Sequence, residues 1–190
     1  MTGEEKENIE KILNGTLRVF NEKGIKFMMD DVAHEISVSK KTLYVYFKNK
    51  EDMIIKLVDY LFDGIKEAEK SVVEDNELTT VEKIRKILGV MPQSYSEIDF
   101  EKLYTLREKY PKVYIKVEER LENGWEETIR LLNDGIKEKV IRPVKIPILK
   151  MMLEASLEQF FQRDVLVRNN ISYQQGLNEV VNILVDGIVI

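Results

Sequence analysis

Apolar residues recur along almost the whole chain at intervals of three and four, the period of an amphipathic helix, and no stretch alternates as a half-buried strand would. Between Glu4 and Lys23 they fall at Ile9, Ile12, Leu13, Leu17, Val19 and Phe20, and Gly24 is placed to stop that helix. Asp30 and Asp31 favour a second helix start, with Val32, Ala33 and Ile36 as its buried face. Ala33 is small where two helices would cross closely. Ser37 and Val38 make a turn, Ser39 is a good N-cap for a third helix, and Leu43 and Phe47 face inward from it. Met28 to Asp52 therefore predicts two short helices at an angle with a basic helix start between them, the layout of a helix-turn-helix reader of DNA.

Downstream the period continues. Glu51 to Val73 carries Ile54, Ile55, Leu57, Val58, Leu61, Phe62 and Ile65, a stripe too broad for one face in water. Such a helix touches both the DNA reader and the second domain, and can act as a lever between them. After a polar break from Glu74 to Thr79, helices are predicted over Val81–Val90, Asp99–Tyr110, Pro111–Val140, Pro147–Val167 and Ser172–Gly187. The fold class is thus all-α, about nine helices in total: a three-helix DNA-binding domain over residues 4–52, its helix-turn-helix at about 28–47, then a larger helical domain over 53–190.

Composition sharpens this picture by exclusion. With 44% hydrophobic and 33% charged residues the chain is ordinary for a globular protein and too apolar for a disordered one. It has no cysteine, so disulfides and thiolate metal sites are excluded. No apolar run approaches the ~20 residues of a membrane span, and the acidic start is unlike a signal peptide, which points to the cytoplasm and to no membrane partner. The net charge of −5 looks unsuited to binding phosphate. Its distribution answers this: the first fifty residues hold nine Lys/Arg and eight Asp/Glu, and residues 36–50 hold four lysines and no acid. Phosphate responds to charge within about a Debye length, ~8 to 10 Å, so the local surplus matters more than the sum.

The residues left pointing outward carry the candidate chemistry. A helix start in the major groove offers N–H groups and a positive dipole end to phosphate while its first side chains reach base edges. Lys40 and Lys41 can supply charge or donors to guanine, Thr42 and Tyr46 hydroxyls can bond phosphates, and Tyr44 and Val45 can pack on thymine methyls. Lys48 and Lys50 flank the start of the fourth helix.

At these residues the chain resembles the tetracycline-repressor (TetR) family of bacterial transcription regulators. The match runs through Ile12, Leu13, Phe20, Lys23, Gly24, Asp31, Val32, Ala33, Val38, Ser39, Lys40, Thr42, Leu43, Tyr44, Tyr46, Phe47, Lys50 and Glu51, roughly the first third of the chain. The resemblance puts Lys40, Lys41, Tyr44 and Val45 where that family touches bases, and Thr42, Tyr46 and Lys50 where it touches phosphates; Ser39 opens the set. Three positions depart from it: Met28 where a Ser/Thr cap is usual, Ser37 where the turn usually has Gly, and Ile36 where a small Ala is common.

The last two helices are apolar on more than one side. A helix of that kind needs two partners, one of which can be a second copy of the chain. The resemblance implies a four-helix dimer interface there, with Leu153, Leu157, Phe161, Leu177, Val181 and Leu184 as its candidates; an internal core alone is the alternative. Dimerisation suits a palindromic site read by two helices about 34 Å apart. Large adaptable groups, among them Met151 and Met152, are spread over several helices. Tyr95, Tyr104, Trp125 and Phe160 are the candidate lining of an effector pocket, although residues of this kind at helical spacing are more often core. They would suit an apolar or aromatic ligand, and the nearby acids would admit a cationic one.

An enzyme finds no support. His34, the only histidine, lies on the solvent side of the second helix, and Glu118 with Glu119, or Glu126 with Glu127, are adjacent and do not converge. No phosphate-cradling Gly loop or nucleophile elbow is present, and no cofactor or metal is implied. The function expected is a repressor that binds a palindromic operator in double-stranded DNA as a homodimer and is released by a small-molecule effector. The alternative is an effector-independent, architectural DNA binder on the same fold.

Overall fold

The computed structural model describes residues 2–92 and 109–190. Thr2 opens α1 (Gly3–Lys23) with a reciprocal capping box to Glu5, and Gly24, at φ +60°, ends it before a single 3-10 turn over Gly24–Lys26. Then come α2 (Met29–Glu35), α3 (Lys40–Tyr46) capped by Ser39, and α4 (Lys50–Glu74) capped by Asn49. Ile12, Leu13, Leu17 and Phe20 of α1, Val32 and Ala33 of α2, Leu43 and Phe47 at α3 and Met53 of α4 are all buried, and they belong to one core that continues into the second domain. α4 crosses residue 52, the expected domain boundary, without a break.

Beyond it, Thr79 and Glu82 form the capping box that starts α5 (Thr80–Gly89). The long helix expected from 111 to 140 is two helices, α6 (Pro111–Glu122) and α7 (Glu126–Lys137). The break falls at Gly124, which sits at φ +80°, and Lys66 of α4 donates to its carbonyl at 2.6 Å. The next expected helix also divides, into α8 (Ile146–Gln162) and the short α9 (Val165–Arg168), and Ser172 caps α10 (Tyr173–Asp186). α4 packs on α5 and α6, α5 on α7 and α10, and α8 on α10 and α6. Among the described residues the only β-type pairing is an isolated bridge between Ile141 and Val189. None of the described helices is long and apolar enough to cross a membrane.

Two expectations about the second domain change. Leu153, Leu157, Leu177, Val181 and Leu184, offered as interface residues, are buried within the single chain. The reason is helical phase: these side chains occupy the inward side of α8 and α10, and the outward side carries Ile148, Met151, Met152 and Ile183, each about half exposed or more. Met151 and Met152 are therefore surface groups and not pocket lining. Tyr95, Tyr104, the helix expected over 99–110 and the Phe161 side chain lie outside the described residues.

Candidate nucleic-acid interface

The recognition segment is built from its turn outward. Ser37 adopts φ +56°, a left-handed conformation that explains why Gly is usual there and that a Cβ makes costly. Val38 N–H donates to Ala33 O at 2.9 Å across this turn. Ile36, the larger residue at the end of α2, finds its space at Gly15 of α1: a Cβ there would lie less than 3.0 Å from Ile36 Cγ2. The sequence departure at Ile36 is thus matched by a glycine on the facing helix.

Met28 supplies no side-chain cap to α2. The Asp31 carboxylate does part of that work from inside the helix, accepting the Met28 N–H at 2.6 Å while also binding Lys23 Nζ at 2.6 Å. The Lys23 ammonium and the Met28 amide hold its carboxyl below the usual carboxylate range. Ser39 Oγ accepts the Thr42 N–H at 3.1 Å and shares a hydrogen bond with Thr42 Oγ1 at 2.8 Å, so both hydroxyls sit at the free N–H groups that open α3. From α3, Leu43 is fully buried while Tyr44 is 48% and Val45 71% exposed. Apolar groups this exposed on a capped helix form a surface ready for base edges.

The basic residues divide into two groups. Lys41 and Lys48 are exposed, and their ammonium groups make no ion pair among the described residues. The other three are engaged. Lys40 pairs with Asp30 at 2.8 Å, which raises its pKa. Lys50 turns inward, donating to Ile25 O at 2.5 Å and lying 4.4 Å from the centre of the Phe27 ring. Lys56 donates to Tyr46 O at 2.8 Å, lies 3.4 Å from Asp52 and stands over the Phe47 ring at 4.9 Å. Lys56 thereby satisfies a carbonyl at the C-terminal end of α3. Sequence reasoning missed it because its partner is a backbone carbonyl ten residues back, around a turn. From its first turns α4 therefore grips both the turn before α2 and the end of α3.

The same helix lines a cavity of about 160 Å³. Its walls include Leu57, Val58, Leu61 and Phe62 of α4, with Ile87, Leu88, Met91, Trp125, Leu153 and Tyr173 from elsewhere. Of the expected pocket residues Trp125 lines it, with Nε1 donating to Leu121 O at 2.8 Å. Phe160 stands behind the wall, edge-on to Tyr173 at 5.9 Å between ring centres.

Residues 12–57 match the family model of bacterial regulatory proteins, tetR family. The uncharacterised HTH-type transcriptional regulator YvaF of Bacillus subtilis (strain 168) is 25% identical over 179 residues, 94% of each chain. Over residues 12–57 the chain is thus similar to the DNA-binding domain of the TetR family. Solved structures of TetR-type regulators carry the same fold along the whole length. A TetR transcription regulator from Haloarcula marismortui aligns over 97% of this chain and all of its own at TM-score 0.73 and 17% identity. FadR from Bacillus subtilis, solved in complex with stearoyl-CoA, aligns over 94% of this chain and 98% of its own at TM-score 0.60 and 22% identity. The likeness is thus to DNA-binding transcription regulators of the TetR type rather than to an enzyme.

Proposed function

We propose that this protein is a cytoplasmic repressor of the TetR family that binds a palindromic operator as a homodimer and releases it when a small apolar or aromatic effector enters the second domain. The observation that carries the reading is α4: one unbroken helix grips the reader through Lys50 and Lys56 and lines the cavity through Leu57, Val58, Leu61 and Phe62. A ligand that moves α4 against its neighbours changes the setting of α3, and the coupling acts in both directions. Residues 4–52 are the reader and 53–190 the effector and dimer domain, with α4 shared between them.

In the bound state Tyr44 and Val45 face base edges with Lys40 and Lys41, and Ser39, Thr42 and Tyr46 approach phosphates through their hydroxyls. Lys50 acts on DNA through position, because its ammonium group holds the Ile25 carbonyl. The dimer forms on the outward side of α8 and α10, where Ile148, Met151, Met152 and Ile183 make an apolar patch. Stearoyl-CoA in the similar FadR structure supports a small molecule in the second domain. The reader assignment is tested by Tyr44→Ala: the sequence preference among duplexes should relax, while the protein's thermal stability stays unchanged. Unchanged preference and affinity would mean that α3 is not the reading helix.

A further inference from the structure

Two concave sites meet at the end of α5. One is the apolar cavity, and the other is a groove of about 570 Å³ between α5 and α10, with Arg85, Lys86, Gln174, Asn178 and Asn182 among its walls. Val90 and Met91 belong to both walls, so two residues separate the cavity from the groove. We propose that the two sites hold one ligand, an apolar tail in the cavity joined to a phosphorylated, anionic head in the groove, which rests on the effector reading above and gives that effector a chemical class.

The distribution of charge places the head outside. Within the cavity wall the ionic groups already have partners. Lys66 binds both Glu69 oxygens at 2.8 Å and the Gly124 carbonyl at 2.6 Å, and Arg120 binds Asp63 at 2.6 Å and Asp59 at 3.4 Å. A charged head in that space would have to break these pairs in a poorly hydrated site, where burial already pushes the Glu69 carboxyl up. The groove is the opposite case. It has no Asp or Glu in its walls, and Lys86 is exposed and makes no hydrogen bond or ion pair among the described residues. Arg85 is held by Asn182 at 2.8 Å and by Asp186 at 2.5 Å, which fixes its guanidinium plane at the groove wall. Side-chain amides at Gln174 and Asn178 add donors. On a chain of net charge −5, a groove walled by the unpaired Lys86, an Arg85 already paired with Asp186 and three amides, with no carboxylate among its described wall residues, suits a head with several anionic oxygens.

Size and flexibility fix the tail. A cavity of ~150 Å³ takes a benzene ring, so this one takes a single ring or a chain of about six to eight carbons. Met91 in the shared wall is unbranched and can swing to open the passage between tail and head.

The test uses the full-length protein and four probes in titration calorimetry: octyl phosphate, 1-octanol, octanoate and inorganic phosphate. Octyl phosphate should bind at least about tenfold more tightly than any other probe, since only it joins a tail that fills the cavity to a phosphate head with several anionic oxygens in the groove. Lys86→Glu, an exposed change that leaves the core alone, should weaken octyl phosphate about tenfold and leave 1-octanol within about twofold. Two results overturn the proposal: 1-octanol binding as tightly as octyl phosphate, or Lys86→Glu leaving octyl phosphate unchanged. If 1-octanol nevertheless releases the protein from DNA, the effector reading stands and only the head site falls. If no apolar probe binds, the effector reading falls as well.

Discussion

Replacing Gly15 by alanine puts a methyl group where Ile36 Cγ2 already sits, less than 3.0 Å from the new Cβ. Two effects then oppose each other. Alanine in a helix interior is favoured over glycine by about 1 kcal/mol. Forcing one more carbon into a packed core costs about 1 to 3 kcal/mol. The structure decides between them, because Ile36 is buried and anchored at the end of α2, so its methyl cannot swing into solvent. Gly15→Ala alone should therefore leave stability unchanged or lower it by up to about 2 kcal/mol. Ile36→Ala alone removes a buried side chain, at about 2 to 5 kcal/mol. In the Ile36→Ala background the new methyl enters vacated space, and Gly15→Ala should become stabilising by about 1 kcal/mol. The cycle then closes with a coupling of about 1 to 3 kcal/mol, well outside the scatter of independent sites. Urea denaturation followed by circular dichroism, at one fixed protein concentration, measures all four proteins. If Gly15→Ala stabilises both backgrounds equally, Ile36 does not rest on Gly15 and the approach of α1 to α2 is misplaced.

Other perturbations probe the remaining parts. Lys56→Met should cost about 1 kcal/mol, the low end for a charge-assisted hydrogen bond because the side chain is partly exposed, and should weaken DNA binding while helical content is retained; intact binding in a mobility shift would deny Lys56 its positioning role. Ile183→Glu adds charge to the outward apolar patch and should give a monomer by sedimentation, with an unchanged far-ultraviolet spectrum; a dimer of wild-type strength would place the interface elsewhere. The Glu158 carboxyl is pushed above the ordinary range by burial and then by Glu118, Glu154 and Glu122. A carboxyl raised in the folded state holds its proton more tightly there than when unfolded, so this group's contribution to stability falls as pH rises from the ordinary carboxylate range through the raised pKa. Glu158→Gln should accordingly raise the melting temperature at neutral pH and have less effect near pH 4; equal gains at both would show that the charge is not the cause.

The reader was legible in the sequence because each of its signals is local. Ser39 caps the helix after it, Leu43 and Phe47 repeat at one turn, and Gly24 stops the helix before it. Expectations failed where a residue's role is set by something distant in sequence. The single helix expected over Pro111–Val140 breaks at Gly124, whose carbonyl is bound by Lys66, 58 positions away. The inward leucines of α8 and α10 and their outward methionines and isoleucines are equally apolar, so pattern alone could not say which side meets the chain's own core. Lys50 showed the same limit in the reader. Its position marks it as a phosphate contact, but Ile25 and Phe27 occupy its ammonium group, and neither could be paired with it from spacing. Lys41 and Lys48 are left as the unpaired cations of the recognition segment, so affinity leans on few charges and on the exposed Tyr44 and Val45.

The central claim is that α3 reads DNA twice, once from each subunit of a dimer. Selecting bound duplexes from a random pool with the full-length protein tests it most directly. The expected result is a two-fold symmetric consensus with half-sites about one helical turn apart, or a multiple of it. Enrichment of a single asymmetric half-site, or of no sequence at all, would contradict it.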